Sequence, residues 1–172
     1  MNFAKQEKIN NIKLLEVLNS ISLKKISSKE SKFFKNKKIL ITGVSGIIGL
    51  NLLFFLNTLH TKKKIPLKID GTFHTSLFSF VKKYFKKNKN INFYKADLTK
   101  KNLNLKKRYD LIFHCAGYGQ PAKFLKFKSS TYKLNSLAIM NLRKNLKISG
   151  KFVYMSTTEI YSGNNNLCDE KS

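Results

Sequence analysis

Three glycines at three-residue spacing are the feature of this sequence most suggestive of chemistry. Gly43, Gly46 and Gly49 lie in the segment ITGVSGIIG, between two apolar runs. A bend without side chains lets a ligand approach the backbone, and the start of a helix offers unpaired N–H groups with a partial positive charge. The pattern therefore suits a diphosphate. Alternatively, the glycines only allow a tight turn and close helix-to-strand packing.

Polar side chains also follow an apolar run near the end of the sequence. The stretch YMSTTEIY places Ser156, Thr157, Thr158 and Glu159 after residues 151–155, which we predict to form a strand. Open parallel sheets bind their substrates at the carboxyl ends of their strands. We therefore expect these hydroxyls and this carboxylate to face a substrate crevice.

The glycine spacing resembles that of the short-chain dehydrogenase/reductase superfamily. Further segments resemble its extended branch of nucleotide-sugar epimerases, dehydratases and decarboxylases, and the resemblance spans about residues 38–162. These segments are Lys95-Ala96-Asp97-Leu98, His114-Cys115-Ala116-Gly117, Asn135, and Thr157 with Glu159. The resemblance implies NAD as cofactor, with NADP as the alternative, and a nucleotide sugar as substrate.

The resemblance also assigns cofactor-binding roles. Ser45, Ile47 and Ile48 belong to the glycine bend and are assigned to the same site. Asp97 would accept from the adenine amino group, with the backbone of Leu98 reaching the ring; alternatively, Asp97 only caps a loop.

Two more segments receive roles from the same resemblance. Cys115, Ala116 and Gly117 would pass beside the ribose and the pyrophosphate, where bulk would collide with the dinucleotide. Asn135 would help to organise the site; alternatively, it is a solvated helix residue. His114 has no carboxylate or second histidine at ligand spacing, so we assign it no chemistry.

Catalytic roles follow for three residues. Thr157 takes the place of the Ser/Thr that hydrogen-bonds the sugar hydroxyl or keto oxygen, and Glu159 that of the acid found in decarboxylases and dehydratases. Thr158 stands where dehydratases have Asp. This favours an enzyme similar to UDP-glucuronate decarboxylase.

Two departures from the family pattern stand beside these matches. None of the seven tyrosines is followed four residues later by Lys, so the YxxxK base of the family is absent from the sequence. We therefore expect this chain to be an incomplete form of its parent enzyme, from either a truncated gene or a partial sequence. We expect it to be inactive by itself. The acidic residue that binds the ribose hydroxyls of NAD could be Asp70, but it lies too early if the strand extends through Phe73, which leaves NAD against NADP open.

Alternating apolar runs predict the elements that position these residues. We predict strands at 38–42, 67–73, 92–95, 111–115 and 151–155, and helices at 47–59, 77–85 and 132–148. The alternation predicts an α/β fold: a Rossmann-like, doubly wound parallel sheet with helices on both faces, lacking its last strands and its substrate lobe.

An amphipathic helix is predicted ahead of this domain. Residues 5–23 place Ile9, Ile12, Leu15 and Leu18 at helical spacing, and we expect this face to pack on the flank of the domain, with membrane or partner binding as the alternative. A polar linker would follow. The expected organisation is residues 1–36 for this helix and linker, 37–162 for the NAD(P)-binding domain, and 163–172 for a loop.

The composition excludes several other classes of protein. The net charge of +25 would suit nucleic acid, but only two of the 34 basic residues are Arg, so we expect no specific nucleic-acid partner. The two cysteines form no CxxC, and we expect no metal site. No apolar run spans a bilayer and the N-terminus has no signal-peptide core, so we expect a cytoplasmic protein.

The sequence therefore predicts the NAD(P)-binding portion of a nucleotide-sugar epimerase, dehydratase or decarboxylase, whose intact parent could be a homodimer. A noncatalytic dinucleotide-binding module is the alternative, and a basic nucleic-acid-binding protein is a third.

Overall fold

The molecule is built on five parallel strands. The computed structural model describes residues 3–100, 105, 107–157 and 168–169, and for residues 3–11 the backbone only. The strands are β1 (Lys37–Thr42), β2 (Leu67–Phe73), β3 (Ile91–Lys95), β4 (Tyr109–His114) and β5 (Leu146–Tyr154). Their spatial order is β3-β2-β1-β4-β5, and every neighbouring pair is parallel. The predicted Rossmann-like fold is confirmed.

Seven helices lie in the described part of the chain. They are α1 (Phe3–Lys24), α2 (Ser28–Phe33), α3 (Ile47–Lys62), α4 (Ser79–Phe85), α5 (Pro121–Lys126), α6 (Lys128–Asn135) and α7 (Leu137–Arg143). Within those residues, no helix combines the length and the apolar character needed to cross a membrane.

Both faces of the central strand β1 are buried, which is why it reads as a continuous apolar run. Ile39 and Ile41 pack on one face with Phe54 of α3, and Leu40 packs on the other with Leu142 of α7. Successive side chains of a strand point to opposite faces. The sheet is therefore covered by helices on both faces, as predicted.

Helix α1 packs on the domain through two of the four predicted residues, and the side chain of Ile9 lies outside the described part of the chain. Ile12, Leu15 and Leu23 pack against the core, but Leu18 is 49% exposed, so the predicted face is wrong at that position. The outward side of the helix is also apolar, with Leu14, Val17, Leu18 and Ile21 exposed. An apolar residue at every turn on two sides makes the packed face ambiguous from periodicity alone.

Part of the expected polar linker after α1 is helical and forms α2, which the sequence did not predict. The Ser27 side chain accepts from the N–H of Glu30, and the Glu30 carboxylate accepts from the N–H of Ser27. This reciprocal pair is a capping box, which satisfies two free N–H groups at the start of a helix.

The predicted single helix over 132–148 is also wrong. The helix breaks at Ser136, whose backbone (φ −129°, ψ −70°) is not helical, and α7 begins at the next residue. At Leu146 the chain is already in β5, where it pairs with Tyr109 of β4. Ala138 and Leu142, two apolar residues of this range at i+4 spacing, are nonetheless buried. Helix α5, with Pro121 in its first turn, was not predicted.

Candidate functional site

A cleft of about 240 Å³ opens where the strands β1 to β4 end. Because the strands are parallel, their carboxyl ends meet at one edge of the sheet, and the loops that follow them surround a common space. The residues lining the cleft are Gly43, Ser45, Gly46, Thr72, Phe73, His74, Ala96, Asp97, Leu98, Thr99, Cys115, Ala116, Gly117, Tyr118 and Leu134.

Two of the three glycines are required by packing. Gly43 has φ +70°, and a Cβ there would lie 2.8 Å from the Ala116 Cα. A Cβ on Gly49 would lie 2.4 Å from the Gly43 carbonyl oxygen. Helix α3 thus approaches the end of β1 more closely than any side chain allows. The packing explanation therefore holds for Gly43 and Gly49. The same close packing places the start of α3 at the cleft.

Gly46 presents that helix start to the cleft. It is the N-cap of α3 and provides no side-chain cap, and the first turn of α3 contains no acidic residue. A 16-residue helix without a capping side chain attracts an anion through its first N–H groups. The bend is therefore open on the side that faces the cleft, as diphosphate binding requires.

Asp97 follows β3 and lines the cleft while it also caps its own loop. Its Oδ1 accepts from the Thr99 N–H at 3.0 Å and from the Thr99 hydroxyl at 2.7 Å. The Thr99 hydroxyl lowers the pKa of Asp97, so the carboxylate is ionised at neutral pH. Its Oδ2 lies 4.0 Å from Nε2 of His74 at the end of β2. The loop-capping role is thus present, and the adenine contact stays a prediction.

The turn after β4 forms the opposite wall of the cleft. The N–H groups of Cys115 and Ala116 both donate to the Thr42 hydroxyl oxygen, at 3.2 Å each. Burial raises the pKa of the Cys115 thiol to about 11, so the thiol is protonated and a poor nucleophile. A Cβ on Gly117 would meet no atom within 4 Å. That position borders open space, and its contact with the dinucleotide stays a prediction.

The side chains of Ile47 and Ile48 point away from the cleft, although the backbone of both residues belongs to the first turn of α3. The side chains of Ile47 and Ile48 are 79% and 52% exposed and line a separate groove against α1. Gly49 is buried beneath the bend. Asn135 is exposed at the end of α6, and its neighbour Leu134 lines the cleft instead. The side chains of Ile47, Ile48 and Asn135 do not line the cleft, and neither does Gly49.

The ends of β2 and β3 supply lining residues that sequence reasoning did not assign. They are Thr72, Phe73, His74, Ala96 and Thr99. The alternation of strands and helices, which predicts a parallel sheet, could have identified these residues. The carboxyl ends of all parallel strands lie at the edge of the sheet where the site is. Asp70 does not line the cleft, because it is 3% exposed and binds Lys107, Tyr109 and Asn92.

The three predicted catalytic residues are only partly described. Thr157 lies three residues beyond the end of β5, at the same edge of the sheet as the cleft. Thr158 and Glu159 lie outside the described residues. Among the residues that the structure does describe, no group of three His, Cys, Asp or Glu side chains could hold a metal ion.

Relatives in sequence match most of this chain. It is 28% identical over 164 residues to dTDP-D-glucose 4,6-dehydratase of Dictyostelium discoideum, a match that covers 86% of this chain and 36% of the relative. It is also 28% identical over 149 residues to the bifunctional polymyxin resistance protein ArnA of Wigglesworthia glossinidia brevipalpis, covering 86% and 22%. The chain thus spans about a third or less of the length of these relatives.

Solved structures share the fold. UDP-N-acetylglucosamine 4-epimerase from Methanobrevibacter ruminantium, in complex with UDP-N-acetylmuramic acid, superposes with a TM-score of 0.60 at 20% identity, covering 80% of this chain and 43% of that one. dTDP-glucose 4,6-dehydratase from Bacillus anthracis, in complex with NAD, gives 0.54 at 21% identity, covering 78% and 43%.

The family model that describes the NAD dependent epimerase/dehydratase family matches residues 39–172. That match begins within β1 and includes the whole cleft. The chain belongs to the NAD dependent epimerase/dehydratase family.

Proposed function

We propose that this chain binds NAD in the cleft, as the nucleotide-binding part of a nucleotide-sugar enzyme similar to UDP-glucuronate decarboxylase. One observation carries the proposal: the uncapped start of α3 opens onto a space bounded by the ends of β1 to β4. We also propose that residues 37–162 form this binding domain and that the protein is cytoplasmic.

The described residues fit the dinucleotide. Gly46 and the first turn of α3 would bind the diphosphate, since that end is uncapped and carries no acid. Asp97 would accept from the adenine amino group, and Gly117 would border the ribose. Bound NAD would supply a hydride acceptor for a sugar carbon.

Substrate positioning is proposed for the hydroxyls and the carboxylate that follow β5. Thr157 would hydrogen-bond the sugar hydroxyl that is oxidised, and Thr158 and Glu159 would hold the neighbouring part of the sugar. The substrate class is a nucleotide sugar, consistent with the dehydratase and epimerase relatives. Glu159 supports the decarboxylase or dehydratase branch, because the enzymes of that branch have an acid at this place.

Binding without turnover is the role we propose for these 172 residues alone. No tyrosine in the sequence is followed four positions later by Lys. Burial raises the pKa of Tyr84 and of Tyr109, which is the opposite of what a tyrosine base needs. A missing general base costs about 10² to 10⁴ in rate. This observation also favours the second candidate, a noncatalytic dinucleotide-binding module.

Measurement of Tm at increasing concentrations of NAD, and separately of NADP, tests the proposal. A ligand at 100 times its Kd stabilises the folded state by about 2.7 kcal/mol. For a domain of this size we expect Tm to rise by roughly 5 to 11 °C. If neither dinucleotide changes Tm at millimolar concentration, the proposal is wrong. The relative size of the two responses decides between NAD and NADP.

Filling the cleft at Gly117 should weaken this binding without unfolding the protein. A Gly117→Leu side chain begins in open space and extends into the cleft, so we expect Kd for the dinucleotide to rise about 30-fold or more while Tm without ligand stays near that of the wild type. Gly119→Leu is the matched control, because its Cβ is equally unobstructed and Gly119 does not line the cleft. If Gly117→Leu and Gly119→Leu bind the dinucleotide with equal affinity, the dinucleotide does not bind beside Gly117.

A further inference from the structure

His114 occupies the junction between three elements that surround the cleft. It is the last residue of β4 and is 1% exposed. Its Nδ1 lies 2.8 Å from the Thr42 hydroxyl at the end of β1, and its Nε2 lies 2.9 Å from the Leu134 carbonyl near the end of α6. We propose that His114 is a positioning residue that holds the β4 turn and the end of α6 in the arrangement that binds the dinucleotide.

The partners of His114 determine which nitrogen carries the proton. The Leu134 carbonyl can only accept, so Nε2 must be the N–H donor. Thr42 Oγ1 already accepts from the N–H groups of Cys115 and Ala116. Its own O–H is therefore left to donate to an unprotonated Nδ1. Each of these four donors, the Nε2–H, the Thr42 O–H and the two backbone N–H groups, then has an acceptor, provided that His114 is the neutral Nε2–H tautomer.

The imidazole lies behind the wall of the cleft and supports two parts of that wall. The Thr42 hydroxyl is oriented by Nδ1, and the same oxygen fixes the backbone of Cys115 and Ala116, both of which line the cleft. Leu134 lines the cleft as well, and its carbonyl is held by Nε2. One side chain thus sets the separation between the turn after β4 and the end of α6.

Protonation of His114 would break this group of hydrogen bonds. A proton on Nδ1 would face the Thr42 hydroxyl, whose oxygen is already used by two N–H groups. The rings of Phe152 and Tyr154 lie against the imidazole, with centroids 6.2 and 5.8 Å away, and the Cys115 thiol follows it in the chain. Burial lowers the pKa of His114 and raises that of Cys115, so both are uncharged at neutral pH.

The tautomer is the first test, and it needs no ligand. Long-range ¹⁵N–¹H correlation spectra of the full chain should show His114 protonated on Nε2 only. It should remain neutral at pH 6, below the ordinary histidine pKa of about 6.5. The Cys115 and Ala116 amides should exchange slowly with solvent. A proton on Nδ1, or an imidazolium at pH 6, would overturn the proposal whether or not the chain binds NAD.

Three substitutions separate the two hydrogen bonds. His114→Phe removes both, and we expect about tenfold or greater weakening of NAD binding and faster exchange of the Cys115 and Ala116 amides. His114→Asn can place an amide oxygen near the position of Nδ1 and should recover both readouts in part. His114→Gln can place an amide N–H near Nε2, so it should recover less protection at Cys115 and Ala116.

His60→Phe is the matched control for destabilisation. His60 also has a partner for each nitrogen, the Ile65 carbonyl at 2.9 Å and the Asn90 amide at 3.0 Å, but it lies among the amino ends of the strands. We expect this variant to lose stability and to retain its affinity for NAD. Equal losses of affinity in His60→Phe and His114→Phe would show that His114 acts only through stability. The affinity test rests on the proposed function: absence of NAD binding by the wild type would contradict that function, and the spectra would still decide the role of His114.

Discussion

Replacement of Gly49 by Ala is expected to destabilise the fold by about 3 kcal/mol, at the upper end of the range for overpacking. The added methyl would lie 2.4 Å from the Gly43 carbonyl oxygen and 2.9 Å from the Gly43 carbonyl carbon. Both atoms belong to the backbone of the bend, so neither can rotate away as a side chain would. Helix α3 would have to move off β1, and its buried residues Leu53, Phe54 and Leu56 would lose contacts in the core.

The sign of this effect separates packing from helix propensity. Gly49 is a helical position, where Ala is intrinsically more stable than Gly by about 1 kcal/mol. A destabilised variant therefore shows that the close approach dominates. Urea unfolding followed by circular dichroism gives the change in free energy. Gly119→Ala is the control, since its methyl meets no atom within 4 Å. A Gly49→Ala protein at least as stable as the wild type would contradict the described contact of α3 with β1.

The elements that could be predicted from the sequence are those whose burial produces a local pattern of apolar residues. Ile39, Leu40 and Ile41 are all fully buried, and so are Leu111 and Ile112 to within 2% exposure. A strand with both faces covered must be apolar at successive positions, which distinguishes it from an exposed strand. The alternation of such runs with helical segments then allows few sheets other than a parallel one.

The errors have two different causes. Helix α2 was missed although its signal is local, because the S-x-x-E spacing of Ser27 and Glu30 is a capping box. The break at Ser136 has no comparable local signal. Apolar residues recur at i+4 spacing from Ala138 through Leu142 to Leu146, which is typical of a helix. Leu146 nevertheless pairs with Tyr109 of β4, 37 positions earlier in the chain. A competing partner that is distant in sequence cannot be read from periodicity.

The site was predictable to a similar extent. Gly43, Asp97 and Ala116 lie at strand ends that carry recognisable local patterns, and all three line the cleft. Ile47 and Ile48 were assigned because they lie in the same segment, but helical geometry directs their side chains toward α1 instead. His74 carries no pattern of its own. Its place in the cleft follows from the length of β2, which is set by pairing with β1 and β3.

Removal of the Asp70 carboxylate is expected to cost about 2 to 4 kcal/mol of stability, less than the largest losses seen for buried ion pairs because one partner is partly solvated. Asp70 is 3% exposed and accepts from the Lys107 ammonium at 3.0 Å, from the Tyr109 hydroxyl at 2.9 Å and from the Asn92 amide at 2.9 Å. In Asp70→Ala the Lys107 side chain, 42% exposed, can turn to water. Tyr109 is 1% exposed and cannot, so its hydroxyl is left without its acceptor.

A double-mutant cycle isolates this last contribution. Tyr109→Phe removes the hydroxyl and keeps the ring in the core beside Leu40 and Ile112. Once Tyr109 is Phe, Asp70→Ala no longer leaves a buried hydroxyl unpaired, so the double variant should be more stable than the sum of the two single losses predicts. We expect a coupling of about 1 to 2 kcal/mol by urea unfolding, within the range for residues in contact. Additive losses would show that the hydroxyl finds another acceptor, and that Asp70 stabilises this end of the sheet through Lys107 and Asn92 alone.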